Sequence, residues 1–544
     1  EINHWGTVNM SFRANDPTTN QTSILDATAL MSDREKRFLE KSWAKVFAEE
    51  IFPAIDEQLF APMYSTVDSR PNTPVNVTVG AMMLKELNGM SDDDILNAMM
   101  FDTRFKVALH TTGMAEQPMS DRTLGRFRER CRTYMEETGK DPLHDCITNL
   151  SDKLAKIMKI DRSLRRMDSM MIDSNIKRMS RLELLYHCTA RMVQVLKKQN
   201  AELPEQLQHY LNKEDENLVI YYNKSEDTST KIEKVLSDAS VLMTLCAGGN
   251  YDDMNEYQLL LRVLNEQAIR QEDGSYQLKP AGDPTMHADI LQNPSDPEAT
   301  YREKAGKSHR GYVANFVEEK GDNGSLITEY QLEQNTYSDS QFMQDYIDGI
   351  GPQKEQVTIT ADGAYSGSNI DEKAADNNVI VFNTNLTGRE AKDIAADFKF
   401  NEDGSRVTEC PNGKAPKSCS CSKAGICTVS FRKEDCENCP FRDQCKPKEY
   451  ARTTRVTISA RTQQRAQKQR QRKTDEFRKM SAFRNGVETV PSFLRRCFGV
   501  DRMPVRGKAK MSIFLGCKIG GLNVMKFCNF RLRRNPSAPK AVLG

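Results

Sequence analysis

No apolar run in the 544 residues approaches the roughly 20 of a membrane-spanning helix. No signal-peptide pattern opens the sequence either. Both absences speak against membrane insertion and export, and lead us to expect a cytoplasmic, nucleoid-associated protein with no membrane partner. Internal repeats are also lacking, which excludes a solenoid. Acidic residues nearly vanish from the last part of the chain: 451–544 holds 23 Lys+Arg against 4 Asp+Glu, a local balance of 23 − 4 = +19. The whole chain is only +1, so the first 450 residues carry +1 − 19 = −18. Such polarity fits either a polyanion-binding region on an acidic body or an ordinary solvated basic face. Hydrophobic residues at 38% and charged ones at 28% fit a polar globular chain, and its length allows three or four domains at ~100–200 residues each.

Among what is present, the stretch VTITADGAYSG (357–367) stands out. Val357, Thr358, Ile359 and Thr360 are β-branched and predict a strand, after which come Asp362 and Gly363. An acid beside glycine at a strand end is commonly a turn former. The carboxyl end of a strand is also where an α/β protein places a metal-binding carboxylate. Partner acids elsewhere in the chain decide between the two.

The surrounding pattern gives the organisation. Residues 1–30 are polar and predict a disordered segment, whereas 31–150 read as a helical domain broken at Gly89. In SDRTLGRFRERC, Ser120 is a candidate cap for a helix displaying Arg122, Arg126, Arg128 and Arg130. Arg126 and Arg128 are candidate DNA contacts, although a solvated arginine face explains them equally well. A strand is predicted over 165–173, followed by a helical insertion at about 176–305. GYVANFVEE and SLITEYQLE flank KGDNG as a hairpin, then come a helix at SDSQFMQDYI, the strand ending at Asp362, and a strand at NVIVFN. This order predicts an α/β fold with a mixed sheet of ribonuclease-H-like type, its first part spanning 151–400. A Cys-rich insertion (405–450), a basic helical region completing the core (451–530) and a tail (531–544) follow.

Two partner acids present themselves. RRMDSMMIDSN holds Asp168 and Asp173, five apart and so on opposite faces of a strand. Asp168 is the preferred functional acid, with Asp173 a cap for the next helix. In AFRNGVETVPSFLRR, Arg484, Glu488 and Arg495 recur near one helical face, a spacing that also suits a surface ion-pair ladder. Pro491 requires a kink or restart there. Three carboxylates can hold two Mg²⁺ (or Mn²⁺) ions ~4 Å apart for an in-line displacement at phosphorus.

SRPNTPVNVTVGAMMLKELNGMSDDDI, SDRTLGRFRER, RMDSMMIDSNIKRMSRLELLY, GYVANFVEE, NTYSDSQF, ITADGAYSG and RNGVETVPSFLRRCFGVDRMPVRG occur in one order. In that series the chain resembles the bacterial insertion-sequence transposases with a DDE (Asp-Asp-Glu) core. The resemblance implies a catalytic triad of Asp168, Asp362 and Glu488 on a ribonuclease-H-like domain. It further implies cleavage at terminal inverted repeats, joining of the freed 3′-OH to target DNA, and action as a homodimer. Arg484-x3-Glu488-x6-Arg495 is similar to the Tyr-Arg-Glu-Lys signature of related transposases, with Ser481 at the tyrosine position and Arg495 at the lysine position. Arg484, Arg495, Arg496 and Lys518 are the expected phosphate-holding residues. A nuclease of the same fold without strand transfer, and a non-catalytic DNA-binding domesticated transposase, remain as alternatives.

Fourteen cysteines are present, and seven fall between Cys410 and Cys445. Cys410, Cys419, Cys421, Cys427, Cys436, Cys439 and Cys445 are all zinc candidates, with Cys436-x2-Cys439 the best-spaced pair. No histidine lies beyond His309, so a site here is all-thiolate or borrows a carboxylate. A disulfide is not expected in a cytosolic setting. The stretch from Arg452 to Arg478 predicts a polar helix suited to DNA backbone.

Overall fold

A computed structural model describes residues 10–15, 26–67, 69–113, 119–222, 227–247, 249–304, 306–384 and 390–533. The expected polar segment 1–30 and the tail from 531 lie largely outside these described residues. The chain divides into two compact units: Glu1–Arg162 with Ser169–Ser338 and Thr489–Gly544, and Ser163–Asp168 with Asp339–Glu488.

In the first unit the amino-terminal region is helical, as its periodicity predicts. Helix α1 (Val75–Leu87) is buried almost throughout, and it ends where Gly89 adopts a left-handed φ of 62°. The arginine-bearing helix begins at Thr123, not at Ser120, whose hydroxyl lies 3.0 Å from the Thr123 Oγ1 in the preceding turn. Helix α2 (Pro142–Met158) starts with proline at its first position, where no amide bond is lost, and is capped by Asp141.

These helices pack on a long carboxyl-terminal helix, Lys508–Arg533, which by length and composition alone would suffice to cross a membrane. Its most apolar window is 78% buried among the first unit's own elements, so it serves as a core helix. The sequence expectation that no segment reaches that length is corrected here. The close approach depends on glycine: a Cβ at Gly521 would meet the Met83 carbonyl oxygen at 3.0 Å and the Leu87 nitrogen at 3.2 Å. Backbone atoms cannot yield to it as a side chain would.

Strand β1 (Leu164–Asp173) runs through both units. After it, a helical subdomain forms from α3 (Arg181–Lys198), α4 (Thr228–Cys246) and α5 (Asn255–Gln267) around Leu185, Met192, Leu236 and Leu260. Ser180 and Glu183 make the capping box that starts α3. Asp173 is therefore no helix cap. Its Oδ1 instead accepts from the His309 ring at 3.1 Å and the Arg310 N–H at 3.3 Å.

Strands β2 (Thr300–Lys304), β3 (Lys307–Gly321) and β4 (Gly324–Gln334) are antiparallel, β3 pairing with both others, and β3 also neighbours β1. The KGDNG hairpin of the sequence reading is the β3–β4 turn. Asn523 seals β4: its side chain accepts from the Ile327 N–H at 3.0 Å and donates to the Ile327 carbonyl at 2.7 Å.

The second unit holds α6 (Asp339–Ile350), β5 (Val357–Ala361), α7 (Ser368–Asp376) and β6 (Val379–Asn383). Here the first part of β1 pairs in parallel with β5, and β5 with β6. A cysteine-rich module follows, built on the antiparallel strands β7 (Ser418–Cys421), β8 (Ile426–Arg432) and β9 (Thr453–Ser459). Its small core includes Phe398, Val407, Val429, Phe431 and Ile458. Strand β9 replaces the first part of the polar helix expected from Arg452, because TTRVTIS is dense in β-branched residues. Helices α8 (Ala460–Gln471) and α9 (Asp475–Asn485) complete the unit.

Gly521→Val is expected to lower stability by ~1–3 kcal/mol through overpacking, with Gly125→Ala as control because nothing lies within 4 Å of its Cβ position. A melting temperature equal to wild type for Gly521→Val would refute the close packing. A second expectation concerns His144, whose Nε2 lies 2.6 Å from Glu329 Oε1. Burial opposes its charge, but hydrogen bonds to Asp145 and Glu329 outweigh that and raise its pKa to about 10. The folded value exceeds the unfolded one, so the stabilisation is full below ~6.5 and is lost as pH rises toward about 10. Unfolding midpoints over that interval should fall more steeply in wild type than in His144→Gln.

Candidate active site

The second unit collects the three predicted acids by a chain of local causes. The β1–β5 register pairs Leu164 with Thr358, Arg165 with Ile359 and Arg166 with Thr360. Two residues further along each strand stand Asp168 and Asp362. Side chains alternate with period two, so each acid continues the row of the Arg166–Thr360 pair. The strand end is pinned: Asn383 Nδ2 donates to the Asp362 carbonyl at 2.9 Å, and the Thr384 N–H donates to the Ala361 carbonyl at 3.0 Å.

Asp362 is a turn former that also faces a cation. Its Oδ1 accepts from the Ala364 N–H at 2.8 Å, which makes it a turn former. Its Oδ2 lies 4.0 Å from Arg484 Nη2. The same nitrogen is 3.4 Å from Asp168 Oδ1, while Arg484 Nη1 donates to Glu488 Oε1 at 2.7 Å. One guanidinium thus reaches carboxylates from three separate segments. Side-chain exposure grades from 9% for Arg484 through 15% for Asp168 and 33% for Asp362 to 64% for Glu488, so the cluster opens to solvent on the glutamate side.

Helix α9 is held so that Arg484 can do this. Phe477 packs on Phe382 of β6 with ring centroids 4.9 Å apart. At the other end, Arg166 Nη1 donates to the Phe483 carbonyl at 3.0 Å and the guanidinium lies over the Phe483 ring. A Cβ on Gly486 would fall 2.2 Å from Arg166 Nη1, so a side chain there would displace the Arg166 guanidinium. Helix α9 ends at Asn485, Gly486–Glu488 forms a tight 3₁₀ turn, and helix restarts at Thr489 with Pro491 in its first turn. The restart expected from Pro491 is what the structure has. Sequence reading missed Arg166, Asn383 and Gly486 as supports. The available signal was the pair of arginines just before Asp168, unusual on a strand buried to this degree.

The donor set suits a hard cation. Three carboxylates and one guanidinium sum to −3 + 1 = −2, and oxygen ligands are those that Mg²⁺ or Mn²⁺ prefers. Arg484 Nε is buried with no hydrogen-bond partner among the described residues, so the guanidinium keeps donor capacity.

The other predicted residues separate by exposure. Arg495, Arg496 and Arg126 are exposed. Arg128 is committed to Asp92 and the Phe514 ring. Lys518 is buried, with its ammonium 2.5 Å from Glu86 and 2.7 Å from the Phe498 carbonyl. It is a core ion pair, not a phosphate-facing group. In the Cys-rich module, Cys421 and Cys427 stand opposite each other in register and are joined in a disulfide, contrary to the sequence expectation. With Cys419 they form a group whose sulfurs lie within 4.8 Å of one another. Cys410, Cys436, Cys439 and Cys445 line a separate small cavity.

Comparison with known proteins bears on both ends of the chain. Residues 409–528 match the family model "Transposase DDE domain", which takes in the cysteine module and Glu488 but neither Asp168 nor Asp362. Residues 34–130 match "Transposase domain (DUF772)". No curated protein matches the sequence. A piggyBac transposase, solved as a synaptic complex with hairpin DNA, aligns over 93% of this chain and 77% of its own at 7% identity. Its TM-score of 0.29 carries no argument about fold. Two transposase models matched at separate stretches of one chain support a DDE-type transposase.

Proposed function

We propose that this protein moves a DNA element by cutting at its terminal inverted repeats and joining the freed 3′-OH to target DNA. The observation that carries the reading is the convergence of Asp168, Asp362 and Glu488 on the single Arg484 guanidinium. Asp168, midway along β1, and Asp362, directly after the neighbouring β5, would hold divalent cations, with the exposed Glu488 completing the set. Magnesium or manganese bound there would supply Lewis-acid stabilisation of the attacking and leaving oxygens of an in-line displacement. Arg484 balances part of the carboxylate charge, and its donors suit a DNA phosphate oxygen. Arg495, Arg496 and Arg126 are exposed cations of the kind that hold DNA backbone. A ribonuclease-H-like core is the architecture we infer, on the support of parallel β1–β5–β6 pairing with Asp168 midway along β1 and Asp362 directly after β5. Action as a homodimer in the cytoplasm, and a structural zinc in the cysteine module that takes no part in the chemistry, belong to the same reading.

Purified protein incubated with Mg²⁺ and DNA carrying the flanks of its own gene should yield cut ends and joined products. Asp362→Asn and Glu488→Gln should each lose activity by more than the ~10–100-fold typical of removing a supporting contact, while retaining DNA binding. Gly486→Ala, which displaces Arg166 and so shifts Arg484, should fall within that ~10–100-fold range. Asp362→Asn that cuts as wild type does would overturn the triad. Cutting without joined products would instead favour a nuclease of the same architecture.

A further inference from the structure

The seven clustered cysteines are not one metal-binding population. Cys419 and Cys421 lie on β7, Cys427 on β8, and Cys421 is already bonded to Cys427. A sulfur in a disulfide is not a thiolate ligand. Among the described residues, no fourth histidine, cysteine or carboxylate joins these three sulfurs at ligand spacing. Cys427 is also fully buried in the module's core.

The remaining four are arranged differently. Cys410 begins a tight turn in which the Gly413 N–H donates to the Cys410 carbonyl at 2.8 Å and the Cys410 N–H donates to Lys414 at 3.0 Å. Gly413 has φ +68°, the left-handed value such a turn needs. Cys436 and Cys439 sit at the end of the short helix Lys433–Glu437, the Cys439 N–H turned back on the Cys436 carbonyl at 3.4 Å. Cys445 ends the next helical turn, where Lys446 reverses the chain with φ 48°. All four line one small cavity, although no three of their sulfurs lie within 4.8 Å of one another, so a bound metal would have to draw them together.

We propose that Cys410, Cys436, Cys439 and Cys445 are the four ligands of one tetrahedral zinc, and that Cys419, Cys421 and Cys427 lie outside it; the assignment rests on the structural-zinc reading above. The supporting contacts suit thiolates. Thr454 Oγ1 donates to Cys436 Sγ at 3.0 Å, the kind of outer hydrogen bond that orients a metal ligand. Four thiolates and one Zn²⁺ leave a charge of −2, and Lys414 and Arg442 line the same cavity. The metal would tie the 410–414 turn to the 433–445 segment in a module whose apolar core is small, the setting in which a structural metal replaces missing core.

Elemental analysis of the purified full-length protein should give roughly one zinc per chain. Cys439→Ser should reduce this below ~0.1 per chain, whereas the double variant Cys421→Ser/Cys427→Ser should keep it. Should Cys439→Ser prove insoluble, wild type alone decides: alkylation with mapping by mass spectrometry should find Cys410, Cys436, Cys439 and Cys445 protected until a chelator is added. Zinc retained in soluble Cys439→Ser, zinc lost from the double variant, protection of Cys419 in place of Cys410, or a zinc content near zero would each overturn the assignment. None of these readouts depends on DNA cleavage, so the zinc site and the transposition reading fail separately.

Discussion

The parallel register of β1 and β5 is the constraint on which the candidate active site depends. Arg166 pairs with Thr360, and that offset, 360 − 166 = 194, equals the offset between Asp168 and Asp362, 362 − 168 = 194. A slip of one residue would turn one acid to the opposite face of its strand and separate the pair. Everything that fixes the register therefore acts on the chemistry. The fully buried Ile359 and Thr360 belong to it, as does the bond from Thr360 Oγ1 to the Arg165 carbonyl at 3.2 Å. Parallel strands cannot be joined by a tight turn, and a long excursion between the acids is thus required by topology.

Arg484 is the second element of that design. A cluster of two aspartates and a glutamate without a cation would be repulsive at these separations. The guanidinium relieves part of that charge, and it is delivered by a helix locked on β1 through Arg166 and on β6 through Phe477. Leaving a balance of −2 across the four side chains makes the site a better host for a divalent cation than a fully paired cluster would be.

Basic residues in the last part of the chain do not act as one population. Arg470 is bound to Asp393 and Asp397, Lys468 to Asp371, and Lys518 to Glu86. Their charge is matched internally and maintains the fold. Arg495 and Arg496 stay exposed on a helix whose other face carries the buried Val490, Leu494 and Phe498. The local excess of +19 thus overstates the number of cations free to meet a polyanion.

Much of the fold was legible because it follows from local chemistry. A β-branched run specified β5, the KGDNG turn specified the β3–β4 hairpin, and Pro491 required a kink or restart beside Glu488. The residue types and chain order of the three acids were likewise visible. What the sequence could not determine is which charges meet. Lys518 and Arg495 look alike as letters, yet one is buried on Glu86 and the other faces solvent. Asp173 looked like a helix cap until His309 and Arg310, more than a hundred residues away, took up its carboxylate. The division of seven cysteines into two groups is of the same kind. Local structure is set by neighbours along the chain, whereas pairing of charges and thiols depends on register and packing between distant segments, which only the tertiary structure decides.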